Sequence, residues 1–139
     1  MSACSRIVIS MILLLAASPL FADDITGANQ FMCTTHDVFE CEAGAQCNEV
    51  SLADLKLPSF VMVDLDKKTM KTTEASDQPR STEIKNLEFF DPLIVIQTAQ
   101  LGRGMTWVIH EPTGQSTMTV TIHHEAYVFF GTCTPLPAK

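Results

Sequence analysis

The chain has 139 residues, a formal net charge of −7 and 46% hydrophobic residues, which suits one domain of ordinary size able to bury a core. Its acidic balance argues against a general nucleic-acid or anionic-membrane surface, because the summed field repels polyanions. No run is long enough to be a membrane span, since crossing a bilayer takes roughly 20 consecutive apolar residues.

Residues 1–22 have the three parts of a secretory signal: Arg6 as the positive charge, an apolar stretch from Ile7 to Ala17, and a break at Ser18-Pro19 before Leu20-Phe21-Ala22. Cleavage is expected after Ala22, with a cut after Ala17 as the alternative. Cys4 precedes the apolar stretch, so it is not placed as a lipid attachment site and leaves with the signal. The expected organisation is therefore a signal peptide over 1–22 and a single domain over 23–139, addressed to the periplasm or the medium. Loss of Arg6 leaves eight Lys and Arg against sixteen Asp and Glu, a mature balance of −8.

Four cysteines then remain, Cys33, Cys41, Cys47 and Cys133, and an even number in an oxidising compartment reads as two disulfides. Three pairings are open. The preferred one joins Cys41 to Cys47 across a short loop containing Ala43-Gly44, and Cys33 to Cys133, tying the first strand to the last. A metal site is the competing reading, because Cys33-x-x-His36 with Cys41 and Cys47 places thiolates and an imidazole in one stretch. Structural zinc usually shows two tight ligand pairs, and only one is present.

Gln30 to Thr35 has the content of a first strand. Ser51-Leu52-Ala53-Asp54 has the Ser-x-x-acid form of a helix start, and Pro58 limits it to one short helical connector. Phe60 to Leu65 and Thr69 to Thr73 read as a hairpin around Asp66-Lys67-Lys68. Glu74 to Ser81 reads as an exposed loop. Ile84, Leu87 and Phe89 share an apolar face if a bulge near Asn86 absorbs one residue. Leu93 to Ile96 is apolar on both faces, as in a central strand.

Gly102-Arg103-Gly104 then turns the chain into Met105, Trp107 and Ile109, which alternate with Thr106, Val108 and His110. After the turn Glu111-Pro112-Thr113-Gly114, Met118, Val120 and Ile122 alternate with three threonines. Tyr127 to Cys133 closes the domain, and Gly131 marks a bulge or a close backbone approach. The expected fold is all-β: an antiparallel meander of seven or eight strands closing into a barrel to dispose of its edges, with a β-sandwich as the alternative.

Phe31-x-Cys33, the loop from Cys41 to Cys47, Leu57-Pro58-x-Phe60-Val61 leading to Asp64-Leu65, Gly102-Arg103-Gly104 followed by Trp107, Gly114-x-x-Thr117-Met118-Thr119 and Phe130-Gly131-x-Cys133 form a recognisable framework. On these residues most of the mature chain resembles an uncharacterised family of small exported bacterial β-rich proteins. That resemblance implies an export address and a fold type, with no activity and no catalytic residue. The architecture also resembles the small periplasmic barrels that inhibit lysozyme, without their serine-rich recognition motif.

Chemistry has no local signature. There is no Gly-x-Ser-x-Gly elbow, no phosphate-binding loop, no His-Glu-x-x-His and no dinucleotide fingerprint, so no catalytic residue and no cofactor are assigned. His110, His123 and His124 are the candidate metal ligands. A hairpin register summing to about 227 sets His110 opposite Thr117, away from the other two. Met62, Met105 and Met118 fall on strand patterns and read as core. Trp107, Tyr127 and Phe129 either fill the barrel or wall a small apolar ligand, and filling is the expectation for so few strands. Arg103 is a candidate anchor for a partner's carboxylate.

The sequence therefore predicts a non-enzymatic exported binding module. A protein partner, inhibitor-like, comes first and a small apolar ligand second; a periplasmic metal-binding protein is the alternative and a hydrolytic enzyme the third reading. Arg103, Trp107 and Tyr127 are the expected contact residues.

Overall fold

A computed structural model describes residues 24–73 and 79–137. The expected signal and its cleavage site lie outside the described residues, as do 74–78 of the expected loop. The chain runs through β1 (Gln30–Glu42), β2 (Asn48–Glu49), β3 (Phe60–Asp64), β4 (Thr69–Thr72), β5 (Ser81–Glu83), β6 (Asn86–Phe90), β7 (Leu93–Gln100), β8 (Arg103–His110), β9 (Gln115–Thr121) and β10 (Glu125–Pro135).

All pairings are antiparallel, and nine strands follow the order β5-β4-β3-β1-β10-β9-β8-β7-β6, with β2 appended to β1. The sheet curls into a half-barrel, so the barrel-like class holds. The ladder does not close through its two ends. Instead β5 and β6 are successive pieces of one segment, and hydrogen bonds stitch it to β7. Lys85 N donates to the Gln97 carbonyl at 3.0 Å, and Thr98 Oγ1 donates to the Glu83 carbonyl at 2.7 Å. The expected apolar segment Ile84 to Phe89 is strand only from Asn86, in β6; β5, which takes Ser81 from the expected loop, and β2 are additions to the seven or eight strands expected.

The disulfides join Cys33 to Cys133 and Cys41 to Cys47. Cys33 and Cys133 face each other across β1 and β10, which pair along nearly their whole length. That ladder shifts between Thr35 and Asp37, so His36 is the extra residue of a bulge. Gly131 sits opposite Thr35, and a Cβ there would come within 2.1 Å of the Thr34 carbonyl oxygen. Only glycine fits, as the interruption in the last strand predicted.

Four expectations change. The helical connector is a set of turns over 52–56, although Asp54 N–H does donate to Ser51 Oγ, as at a helix start, and the Ser51 hydroxyl donates to the Asp54 carboxylate. Lys56 adopts a φ of 52° and Leu57 N bonds back to the Leu52 carbonyl, which ends the spiral after one turn. The β8–β9 register sums to 225, with Val108 opposite Thr117. The turn is displaced because Gly114, with φ 65°, donates its N–H to the His110 carbonyl at 2.8 Å. Phe89 shares the inward side with Leu87 but is 63% exposed, since β6 ends the strand order and no described strand lies beyond it. Finally, β7 stands next to that edge instead of at the centre; Ile94 and Ile96 are buried, while Leu93 and Val95 on its other face are only half-buried.

The core lies toward the end of the barrel where β3 turns into β4 and β8 into β9. Phe31, Cys33, Val63, Met70, Ile84, Ile94, Ile96, Trp107, Ile109 and Cys133 fill it, and Ile25 and Leu65 plug it from below. Ile25 is held there by its N–H donating to the Glu111 carbonyl at 2.9 Å.

Candidate functional site

Toward the other end of the barrel the strands keep their alternation but lose their filling. A cavity of about 640 Å³ occupies this half, within the roughly 300–1,000 Å³ range of small-molecule sites. Trp107 stands at its border with the core and is only 5% exposed. Met105 on β8, Met118 and Val120 on β9, and Phe129 on β10 form one wall; Val61 on β3 and Met70 on β4 form the facing one. Leu52, Leu55, Leu57 and Pro58, all half-buried, cover it from the turn segment that precedes β3.

The expected contact residues meet here: Arg103, Trp107 and Tyr127 all line the same cavity. Tyr127 O–H faces two carboxylates, Glu40 Oε1 and, at 3.0 Å, Glu125 Oε2. The hydrogen bond to Glu40, followed by burial, holds the phenol well above its ordinary value of 10.0. Tyr127 is therefore a fixed neutral donor and part of the wall, with no capacity to act as a base near neutral pH. Arg103 opens β8 after Leu101 and Gly102, whose φ values of 51° and 75° make the tight β7–β8 turn. Its side chain is exposed at the mouth, where Lys71 and Arg80 also line the cavity.

Hydroxyls from Thr35, Thr72, Ser81, Thr82 and Thr98 are interspersed in the lining, together with Gln100, and among the described residues no histidine and no carboxylate lines it. The expected interior filling is replaced by open space in this half, with Trp107 in the core cluster at its border and Phe129 in its wall.

The candidate metal ligands do not converge. His110 follows Ile109 at the packed end and its Nδ1 lies 2.8 Å from Thr113 Oγ1. His123 and His124 meet edge to face, with ring centroids 3.8 Å apart, in the β9–β10 turn at the mouth end. Among the described residues no group of three His, Cys, Asp or Glu is arranged to hold a metal ion. With Cys33, Cys41, Cys47 and Cys133 in disulfides, the thiolate site is also lost.

Lys71, Arg80 and the leucine cover were missed from the sequence. A readable signal existed in Leu52-x-x-Leu55-x-Leu57, three large apolar residues in a segment too short to make a core element of its own. No family profile matches the chain, and no curated protein matches it.

Proposed function

We propose that this chain is an exported, non-enzymatic binding protein that encloses a small apolar ligand in the hollow half of its barrel. The observation that carries this reading is the cavity of about 640 Å³ walled by Met105, Met118, Val120 and Phe129 over Trp107. The cavity moves the small-ligand reading ahead of the protein-partner reading that the sequence ranked first. The two disulfides suit an oxidising compartment, and the signal expected over 1–22 supports export to the periplasm or the medium.

Trp107 is the sole tryptophan, so its emission reports on the cavity. The neutral dye N-phenyl-1-naphthylamine is expected to bind one per chain and to change Trp107 emission, and Val120→Trp, which fills the space, is expected to abolish binding while leaving the denaturation midpoint near that of the parent. Absence of dye binding to the parent chain would refute the proposal.

A protein partner retains one favourable observation. Phe89 and Phe90 are 63% and 75% exposed on the edge strand β6, and an edge with free backbone groups is a template for another strand. Cross-linking from position 90 in a periplasmic extract tests it; absence of any adduct counts against it.

A further inference from the structure

Resting on the cavity reading above, we infer that the ligand is a neutral hydroxylated aromatic molecule, bound with its hydroxyl inward between the Trp107 indole and Thr98.

Trp107 stands at the floor of the cavity and is 5% exposed. Its Nε1–H meets no hydrogen-bond acceptor among the described residues, although every described side-chain N or O atom that is sealed from solvent has a partner. The N–H is therefore not sealed, and it opens on a space that Trp107 lines. Two spaces border this ring. One, shared with Ser116, Met118 and Phe129, has about 10 Å³, the lower limit for a single water. The other is the cavity of about 640 Å³. A ligand can reach the indole only from the larger one.

Thr98 is the second group. It is 7% exposed and lines the same cavity. On β7 it follows Ile96, which faces Trp107, by two positions, so Thr98 and Trp107 are diagonal neighbours on one face, within the reach of long side chains. The Thr98 hydroxyl donates its proton to the Glu83 carbonyl at 2.7 Å. A hydroxyl has one proton and two lone pairs, so toward a ligand Thr98 only accepts. The floor thus pairs a donor with an acceptor.

A ligand hydroxyl answers both, accepting from Trp107 and donating to Thr98. A carboxylate has no proton for Thr98, an ammonium has no lone pair for Trp107, and either charge at this depth would be desolvated. The walls select the rest of the molecule. Met70, Met105 and Met118 line the space, and thioether sulfur makes favourable contacts with aromatic ring edges. Phe129 adds an aromatic partner.

The test compares 1-naphthol, its methyl ether 1-methoxynaphthalene and 1-methylnaphthalene by displacement of the neutral dye at about pH 7, where a phenolic hydroxyl is un-ionised. 1-Naphthol is expected to bind about tenfold more tightly than the ether, which cannot donate to Thr98. Because Trp107 is the only tryptophan, its indole N–H gives a single proton–nitrogen resonance. That resonance should lie further downfield with 1-naphthol bound than with 1-methylnaphthalene, which supplies the same ring and no acceptor. Thr98→Val should bring the naphthol-to-ether ratio close to one, whereas Thr98→Ser, which keeps the hydroxyl, should retain it. Equal binding of 1-naphthol and the ether to the parent chain would overturn the inward hydroxyl while keeping the apolar cavity. An indole resonance in the same place with both probes would overturn Trp107 as the donor; it is read on the parent chain, so it decides even if Thr98→Val does not fold. Survival of the ratio in Thr98→Val would overturn Thr98 as the acceptor. Failure of all three probes and the dye to bind would overturn the cavity reading along with it.

Discussion

The two ends of this barrel are built from the same strands, yet one is solid and the other hollow. Along β8, Ile109 is fully buried and Trp107 nearly so, whereas Met105 is half-buried on a cavity wall. The strand pattern is identical across all three. What differs is what comes from outside the strands: at the solid end Ile25, Leu65 and Ile84 enter from segments flanking the ladder and fill the space, while at the hollow end Leu52, Leu55 and Leu57 lie across the opening. Alternation thus decides which face of a sheet is dry, and the connecting segments decide whether that dry face is filled.

The disulfides divide in the same way, and the largest effect is expected from them. Cys33–Cys133 lies in the packed end and closes a separation of 100 residues, while Cys41–Cys47 closes 6 near the mouth. The chain-entropy argument gives about 4.7 kcal/mol for the first and about 2 kcal/mol for the second. Cys133→Ser should therefore lower the urea midpoint much more than Cys47→Ser, and its buried hydroxyl adds to the loss. Equal midpoints would contradict the contrast between the two ends.

Truncating the same wall at two depths is the next largest. Ile109→Ala removes a side chain packed on all sides and should cost about 3–4 kcal/mol. Met105→Ala enlarges a space that already exists and should cost about 1 kcal/mol, because little further contact is lost. Comparable losses would mean that the upper half is as tightly filled as the lower one.

The smallest effect concerns the β3–β4 turn at the solid end. Asp64 accepts the Lys67 N–H at 2.9 Å, and this bond first, then the Lys67 ammonium and Gln30, lowers its carboxyl below the ordinary 3.8. A lowered folded value means stability that is fully present above the unfolded value and lost as pH falls through the folded one. Asp64→Asn should cost less than about 1 kcal/mol at neutral pH, and the difference from the parent should shrink as pH falls below the ordinary 3.8 and be lost through the lowered folded value. A difference that persists in acid would assign the effect to something other than this carboxylate.

Much of the fold was legible in the chain because it depends on local chemistry. Met105, Trp107 and Ile109 against Thr106, Val108 and His110 give the strand and its inner face; Gly131 gives the close approach; the even cysteine count gives two bridges, and of three open pairings the preferred one is present. What was not legible depends on geometry that only the assembled sheet has. The β8–β9 register turned on whether Gly114 bonds back to His110, and Phe89 was exposed because β6 is an edge, a property of strand order and not of the segment itself. For the site, Trp107, Tyr127 and Arg103 were named from their types, but Leu52 and Leu55 gained meaning only when the turn segment before β3 came to lie across strands distant in sequence.

The pairing of β1 with β10 has a practical consequence. Leu136 donates its N–H to the Gln30 carbonyl, and Ile25 lies beneath the same end, so the described chain enters and leaves the molecule side by side, on the side away from the mouth. A fluorescent protein or an immobilising tag joined directly before Asp24 or after Pro137 would stand behind the barrel with its opening facing solvent, and the same protein could be tethered to a sensor surface as an oriented receptor.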